Sequence, residues 1–145
     1  MFSKRCSYAI RAVVYLASLK HHDYVSIQEI STKLSISFHF LTKVLQMLTN
    51  QHIINSYRGP KGGVALARSA ETISLFEIVN AIDGDKTFSE CILGLAMCGD
   101  DHPCPLHDEA SIRKEQMKQL LNTTTIASLA HKVKDLNLRL GDHLN

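Results

Sequence analysis

Apolar positions in the first fifty residues recur at helical spacing three times, and the breaks between the repeats carry cap and turn chemistry. Ile10, Val13, Val14, Tyr15 and Ala17 follow one helix face from Ser7 to Leu19, and His21-His22-Asp23 ends the pattern. Ser26 stands where an N-cap belongs, with Glu29 three residues on as a capping-box partner, so a short second helix is predicted over about 26–34. After Ser35-Ile36-Ser37, Leu41, Val44, Leu45 and Leu48 form an i, i+3, i+4, i+7 stripe. That stripe predicts a third helix over about 38–51, whose opposite face carries His39, Thr42, Lys43, Gln46 and Thr49.

The period then changes. Ile53–Tyr57 and Val64–Ala67 read as two short strands joined by Arg58-Gly59-Pro60-Lys61-Gly62-Gly63. Helical spacing resumes over 72–83, where Ile73, Phe76, Ile78, Val79 and Ile82 are apolar and Gly84 is the stop signal. An irregular loop follows over about 85–107, and then two helical patterns over 108–121 and 125–140. In the second, Ile126, Leu129, Ala130, Val133, Leu136 and Leu140 make a stripe too long for one small core, and a dimer interface would absorb it. The expected fold class is mainly α with a small β-hairpin wing. A winged helix-turn-helix domain is expected over 1–84, a ligand-binding loop over 85–107 and dimerisation helices over 108–145.

Composition narrows the class. A chain of 145 residues, 45% hydrophobic and 21% charged, suits one compact domain with an appended element. No apolar run approaches the roughly 20 residues of a membrane span, so a soluble, cytoplasmic protein with no membrane partner is expected. Basic residues precede an apolar stretch at the N-terminus, but Arg11 interrupts it and no small-residue cleavage site follows, which reads as an amphipathic helix and not a signal peptide.

Charge changes the picture further. Residues 1–68 carry nine Lys/Arg against two acidic residues, whereas 69–145 carry seven against twelve, so the halves are +7 and −5. A basic N-terminal half is suited to a polyanion. Short polar and basic side chains on a helix that follows another across a Ser-rich turn meet the needs of a major groove, although any surface helix of a small α protein shares that pattern. The hairpin separates the two. Its glycines permit positive φ and close backbone approach, while Arg58 and Lys61 can reach phosphates or a minor groove. The P-loop spacing ending in Gly-Lys-Ser/Thr is absent, which excludes a nucleotide site of that type.

Four cysteines without a secretion signal argue against a disulfide scaffold. Cys6, among helix-one residues, reads as a small buried apolar side chain. Cys91, Cys98 and Cys104 are separated by six and five residues and are followed by Pro105-Leu106-His107. Thiolates bind iron in clusters and zinc, and an imidazole completes either set. Gaps this wide suit an iron–sulfur cluster better than a zinc knuckle, with structural zinc and unligated thiols as the alternatives. His102, in an Asp-Asp-His-Pro turn, reads as solvated, and His107 is the preferred fourth ligand. No nucleophile–base pair or carboxylate dyad suggests an enzyme.

These residues resemble the Rrf2 family of winged-helix transcription regulators over essentially the whole chain. The likeness rests on Ser7-Tyr8-Ala9-Ile10-Arg11, on the hairpin tip Arg58-Gly59-Pro60-Lys61-Gly62-Gly63, and on the three-cysteine loop ending Cys104-Pro105-Leu106-His107. It implies a homodimer that reads a pseudo-palindromic double-stranded DNA operator, with the helix after the cysteine loop crossing its partner, and an iron–sulfur cluster on Cys91, Cys98 and Cys104. One branch of the family takes a histidine three residues after the last cysteine as fourth ligand, the place of His107. Another takes an aspartate from helix one of the partner, where this chain has Ser7, a poor ligand. A [2Fe-2S] cluster is therefore favoured, with [4Fe-4S] as the alternative. The first cysteine gap is one residue longer than in the histidine branch, and Thr42 replaces a glutamate that tells DNA sites apart there. Expected DNA contacts are His39, Thr42, Lys43 and Gln46 on base edges, Ser26 and Ser37 on phosphates, and the wing Tyr57, Arg58, Gly59, Pro60, Lys61, Gly62 and Gly63. The signal is expected to be redox state, nitric oxide or iron–sulfur status. A cluster-free thiol sensor of the same fold and a zinc-stabilised adaptor are the competing functions.

Overall fold

The computed structural model describes residues 1–21 and 23–142; His22, read as part of a solvated helix end, lies outside them. In chain order the elements are α1 (Lys4–Ser18), α2 (Ile27–Leu34), α3 (Phe38–Asn50), β1 (Ile54–Tyr57), β2 (Gly63–Leu66), a 3-10 turn at Ala70–Thr72, α4 (Leu75–Asp83), α5 (Lys86–Ser89), α6 (His107–Thr123) and α7 (Ile126–Asp135). Among the described residues no helix is long and apolar enough to cross a membrane.

Helix α1 is the hub, because α3, α4 and α7 all pack on it. It starts at Lys4, earlier than its apolar spacing suggests, because Ser3 caps it by accepting from the Cys6 amide at 3.0 Å. Asp83 at the end of α4 in turn accepts from the Ser3 amide at 2.8 Å and from the Ser3 hydroxyl. Ala9, Ala12, Val13, Val14 and Leu16 of α1 are buried with Leu41, Val44, Leu45 and Leu48 of α3 and with Ile78, Val79 and Ile82 of α4. Truncating one of these leucines to alanine would cost about 2–5 kcal/mol.

The turn between α2 and α3 is held from inside. Ser35 takes the left-handed conformation (φ 54°), and the buried Ser31 hydroxyl donates to the Ile36 carbonyl at 2.6 Å. The predicted capping box is half formed: the Ser26 hydroxyl accepts from the Glu29 amide at 3.1 Å, but the Glu29 carboxylate accepts from the Tyr15 hydroxyl at 3.0 Å instead of closing the box. A full capping box forms at α4, between Ser74 and Glu77.

Strands β1 and β2 pair antiparallel with Ile54 opposite Leu66 and Tyr57 opposite Gly63. Val25 adds a two-bond bridge to Val64, both N···O distances 2.9 Å, which fastens the hairpin to the start of α2. Glycine is required at that junction. A Cβ on Gly63, at φ +157°, would lie 2.0 Å from the Val25 carbonyl oxygen, and one on Gly62 would lie 2.3 Å from the Tyr57 oxygen.

The C-terminal part differs from its predicted form in two ways. The helix expected over 125–140 ends at Asp135, and the chain's own core takes up most of its apolar stripe: Ile126 and Ala130 are buried and Leu129 and Val133 pack beside them, while Leu136, just past the helix, is 64% exposed. Leu140 lies beyond the helix end, where its carbonyl accepts from Arg11 Nε at 2.7 Å. Helix α6 carries part of the exposed apolar surface: Ile112 and Leu120 are 56% and 57% exposed, and among its described residues only Leu121 is buried.

Candidate nucleic-acid interface and metal centre

The turn and the hairpin place one exposed surface along α3 and the wing. His39, Lys43 and Gln46 point to solvent on α3, and Ser37 stands exposed at its N-cap with no side-chain cap bond. Thr42 is less open than expected, and its hydroxyl donates to the Phe38 carbonyl at 2.8 Å. Ser26 is exposed but its oxygen serves the Glu29 amide. On the wing, Tyr57, Arg58, Gly59, Pro60 and Lys61 are exposed, whereas Gly62 and Gly63 are half-buried and shape the turn. Arg58 and Lys61 have no ion-pair partner among the described residues, leaving both cations open to an anionic ligand. Tyr24 stacks beside Tyr57 with ring centroids 5.5 Å apart and braces the wing's outer edge. Sequence reasoning missed Tyr24; the chain signal was its place one residue before the Val25 bridge.

The cysteine loop is built from turns. It opens with the single turn α5, inside the stretch expected to be irregular throughout. Gly94 at φ +71° follows Cys91, an isolated bridge joins Gly99 and His102, and the Cys104 carbonyl accepts from the His107 amide at 2.9 Å to start α6. These turns bring the three thiols together, all within 4.8 Å of one another, with Cys91 Sγ 3.7 Å from Cys104 Sγ. His107 Nδ1 lies 3.3 Å from Cys98 Sγ, and its Nε2 lies 3.1 Å from Asp100 Oδ1. His102 is exposed and takes no part in the thiol group. The partner that sequence reasoning missed is Asp100, because nothing in Asp-Asp-His-Pro says which carboxylate folds back.

The thiols are tuned differently. Backbone N–H groups at Leu95 and Leu93, with the neighbouring thiols, draw the Cys91 thiol down to about 7 against the desolvation that opposes it. At Cys98 the backbone bond at Cys104 favours the thiolate, but desolvation and the adjacent Cys104 and Cys91 outweigh it, so this thiol is raised. Cys6 is fully buried and pushed up to about 12, first by desolvation and then by the Asp83 charge and hydrogen bond. The donor set fits a thiophilic metal group: three convergent, half-exposed sulfurs, an imidazole beside them and a carboxylate on that imidazole's far nitrogen.

Ring contacts and a hydrogen bond tie this loop to the rest of the chain. The Phe88 ring of α5 lies 6.5 Å from Phe2, which precedes α1, and 5.9 Å from Phe76 of α4. Lys114 of α6 donates to the Glu90 carbonyl next to Cys91.

A helix-turn-helix with a β wing, joined to a loop whose three cysteines could hold a metal ion, is the architecture of a winged-helix regulator. The family model of Rrf2, iron-dependent transcriptional regulator, matches residues 2–132, and the chain belongs to this family. Protein aau3 of Rhizobium meliloti is 30% identical over 145 residues, covering 96% of this chain and 90% of its own. The HTH-type transcriptional regulator IscR of Klebsiella pneumoniae is 26% identical over 136 residues, covering 94% and 83%. Among solved structures, the oxidized form of Staphylococcus aureus CymR is similar at TM-score 0.70 and 25% identity, over 90% of this chain and 95% of that one. The T. potens IscR structure is similar at TM-score 0.76 and 19% identity, over 96% and 92%, a likeness of fold. The chain is thus a DNA-binding transcription regulator, and its family's members are regulators, not enzymes.

Proposed function

We propose that this protein is an iron–sulfur-dependent regulator that works in the cytoplasm as a homodimer on a pseudo-palindromic DNA operator. The observation that carries the reading is the convergence of Cys91, Cys98 and Cys104 within 4.8 Å beside His107. These three thiols would hold the cluster, His107 would be the fourth ligand, and a Cys3His set favours [2Fe-2S] over [4Fe-4S]. When bound, such a group supplies a centre sensitive to oxidants, nitric oxide and iron shortage.

The chain's own residues give that loop a route to DNA. Asp100 orients the His107 ring. Phe88 rests on Phe2 and Phe76, so the loop's position bears on α1 and α4, which pack against α3. His39, Thr42, Lys43 and Gln46 face the major groove, Ser26 and Ser37 lie near phosphates, and Tyr57 to Gly63 form the minor-groove wing. The partner copy pairs across the exposed α6 face, and its dyad sets the half-site spacing.

A thiol-based reading also has a specific observation in its favour, since Cys91 and Cys104 stand 3.7 Å apart and can oxidise as a pair. Fluorescence anisotropy on duplexes selected from a randomised pool tests the proposal, using anaerobic protein and its Cys98→Ala and Arg58→Ala variants. Arg58→Ala should weaken binding by about 1–3 kcal/mol. Cys98→Ala should change affinity and abolish its response to iron chelation. Unchanged chelator sensitivity in Cys98→Ala contradicts the ligand assignment, and a response to peroxide alone favours the thiol reading.

A further inference from the structure

The DNA-facing side of α3 is more apolar than its sequence suggests. Phe38 begins the helix and is 40% exposed, its ring edge-on to His39 with centroids 5.8 Å apart, and it belongs to no part of the buried core. Thr42, four residues on and on the same face, turns its hydroxyl back to the Phe38 carbonyl at 2.8 Å. Thr49 does the same toward the Leu45 carbonyl at 2.9 Å. With their donors already used, these threonines offer methyl groups to an incoming ligand. The N-terminal end of the exposed face therefore presents an aromatic ring and a methyl group, next to the polar row of His39, Lys43 and Gln46.

A large apolar ring at the tip of a solvent-facing helix costs solubility unless something covers it. The first residues of a recognition helix are those that reach base edges, and the one apolar feature in the major groove is the thymine 5-methyl. We propose that Phe38, together with the Thr42 methyl, is a specificity-determining contact that reads a thymine 5-methyl group in each half-site. This rests on the DNA-binding reading of α3 and adds to it a chemical class of base. His39, Lys43 and Gln46 supply the hydrogen bonds to neighbouring base edges, and neither Phe38 nor Thr42 needs one.

The test uses the full chain. Duplexes are selected from a randomised pool by the wild-type protein, and the selected sequence is resynthesised with deoxyuridine in place of thymidine at one position at a time, which removes a single methyl and leaves the base pairing intact. Removing the methyl that Phe38 covers should weaken wild-type binding about fourfold, the worth of one buried methyl-sized group. In Phe38→Ala the same replacement should change affinity less than about twofold, and Thr42→Ser should show an intermediate loss. Phe38 is exposed, so the alanine variant keeps the core, and circular dichroism confirms its helix content. If no deoxyuridine replacement weakens wild-type binding, or if Phe38→Ala remains fully sensitive to it, the methyl contact is wrong while the DNA-binding reading stands. If the wild-type protein selects no duplex at all, the DNA-binding role of α3 falls and the methyl contact falls with it.

Discussion

His107 Nδ1 lies 3.3 Å from the sulfur of Cys98, although the two are nine positions apart in sequence. The other ring nitrogen is held by Asp100 at 3.1 Å, so the imidazole's orientation is fixed by a carboxylate that is itself exposed. Such a partner beyond the ligands typically contributes ten- to hundredfold to metal retention. Asp100→Ala should therefore lose iron to a chelator about tenfold faster than wild type, and Asp100→Asn should lie between. Equal rates in all three would show that Asp100 has no part in holding the ring.

Gly63 tests the attachment of the wing. With a Cβ placed 2.0 Å from the Val25 carbonyl oxygen, Gly63→Ala must either break the Val25–Val64 bridge or shift the start of α2. A loss of about 3 kcal/mol is expected, at the upper end of overpacking costs. Gly84→Ala makes a useful contrast, since its Cβ would meet nothing within 4 Å and only the positive φ of 74° is strained. Urea unfolding of both variants measures the difference, and equal losses would mean that the close approach at Gly63 relaxes without effect.

Pairing through α6 predicts that Ile112→Glu with Leu120→Glu yields a folded monomer, because both side chains are exposed in the single chain and neither supports its core. Sedimentation should show the mass halve while helix content is kept. A wild-type protein that already sediments as a monomer at micromolar concentration would refute the interface.

Cys6 makes stability depend on alkaline pH. Its folded thiol holds its proton up to about 12 against an ordinary 9.0, so the folded chain binds more protons than the unfolded one between those values. The contribution is complete below pH 9 and is lost as pH rises toward 12. Cys6→Ala should therefore lose less thermal stability than wild type between pH 9 and 11. In the metal-free wild type, iodoacetamide at neutral pH should label Cys91 and leave Cys6 unmodified until the chain unfolds.

Much of this molecule was legible from local pattern. The stripe Leu41, Val44, Leu45 and Leu48 is the buried face of α3, and Arg58 to Gly63 is the hairpin tip, because amphipathic period and turn chemistry are properties of short segments. The close spacing of Cys91, Cys98 and Cys104 likewise set them in one loop, and the fold brings their thiols within 4.8 Å of one another. Features that depend on distant partners were not legible. The stripe that begins on α7 did not show that α1 covers Ile126 and Ala130 while Leu136 stays exposed. Glu29 carried a capping-box signature, but Tyr15 draws its carboxylate away. Asp100 and Asp101 are alike in sequence, and only the fold selects the one that reaches His107. That the hydroxyl of Thr42, a candidate for a base edge, donates to the Phe38 carbonyl was likewise not written in its neighbours.

The central claim, that Cys91, Cys98 and Cys104 hold an iron–sulfur cluster, is tested most directly by iron and acid-labile sulfide analysis with a visible spectrum on anaerobically purified protein. The account predicts visible absorbance with iron and sulfide in equal amounts, about two of each per chain, and loss of both in Cys98→Ala. A colourless protein with neither iron nor sulfide, and with no cluster after reconstitution, would contradict it and leave a Rrf2 regulator that senses by other means.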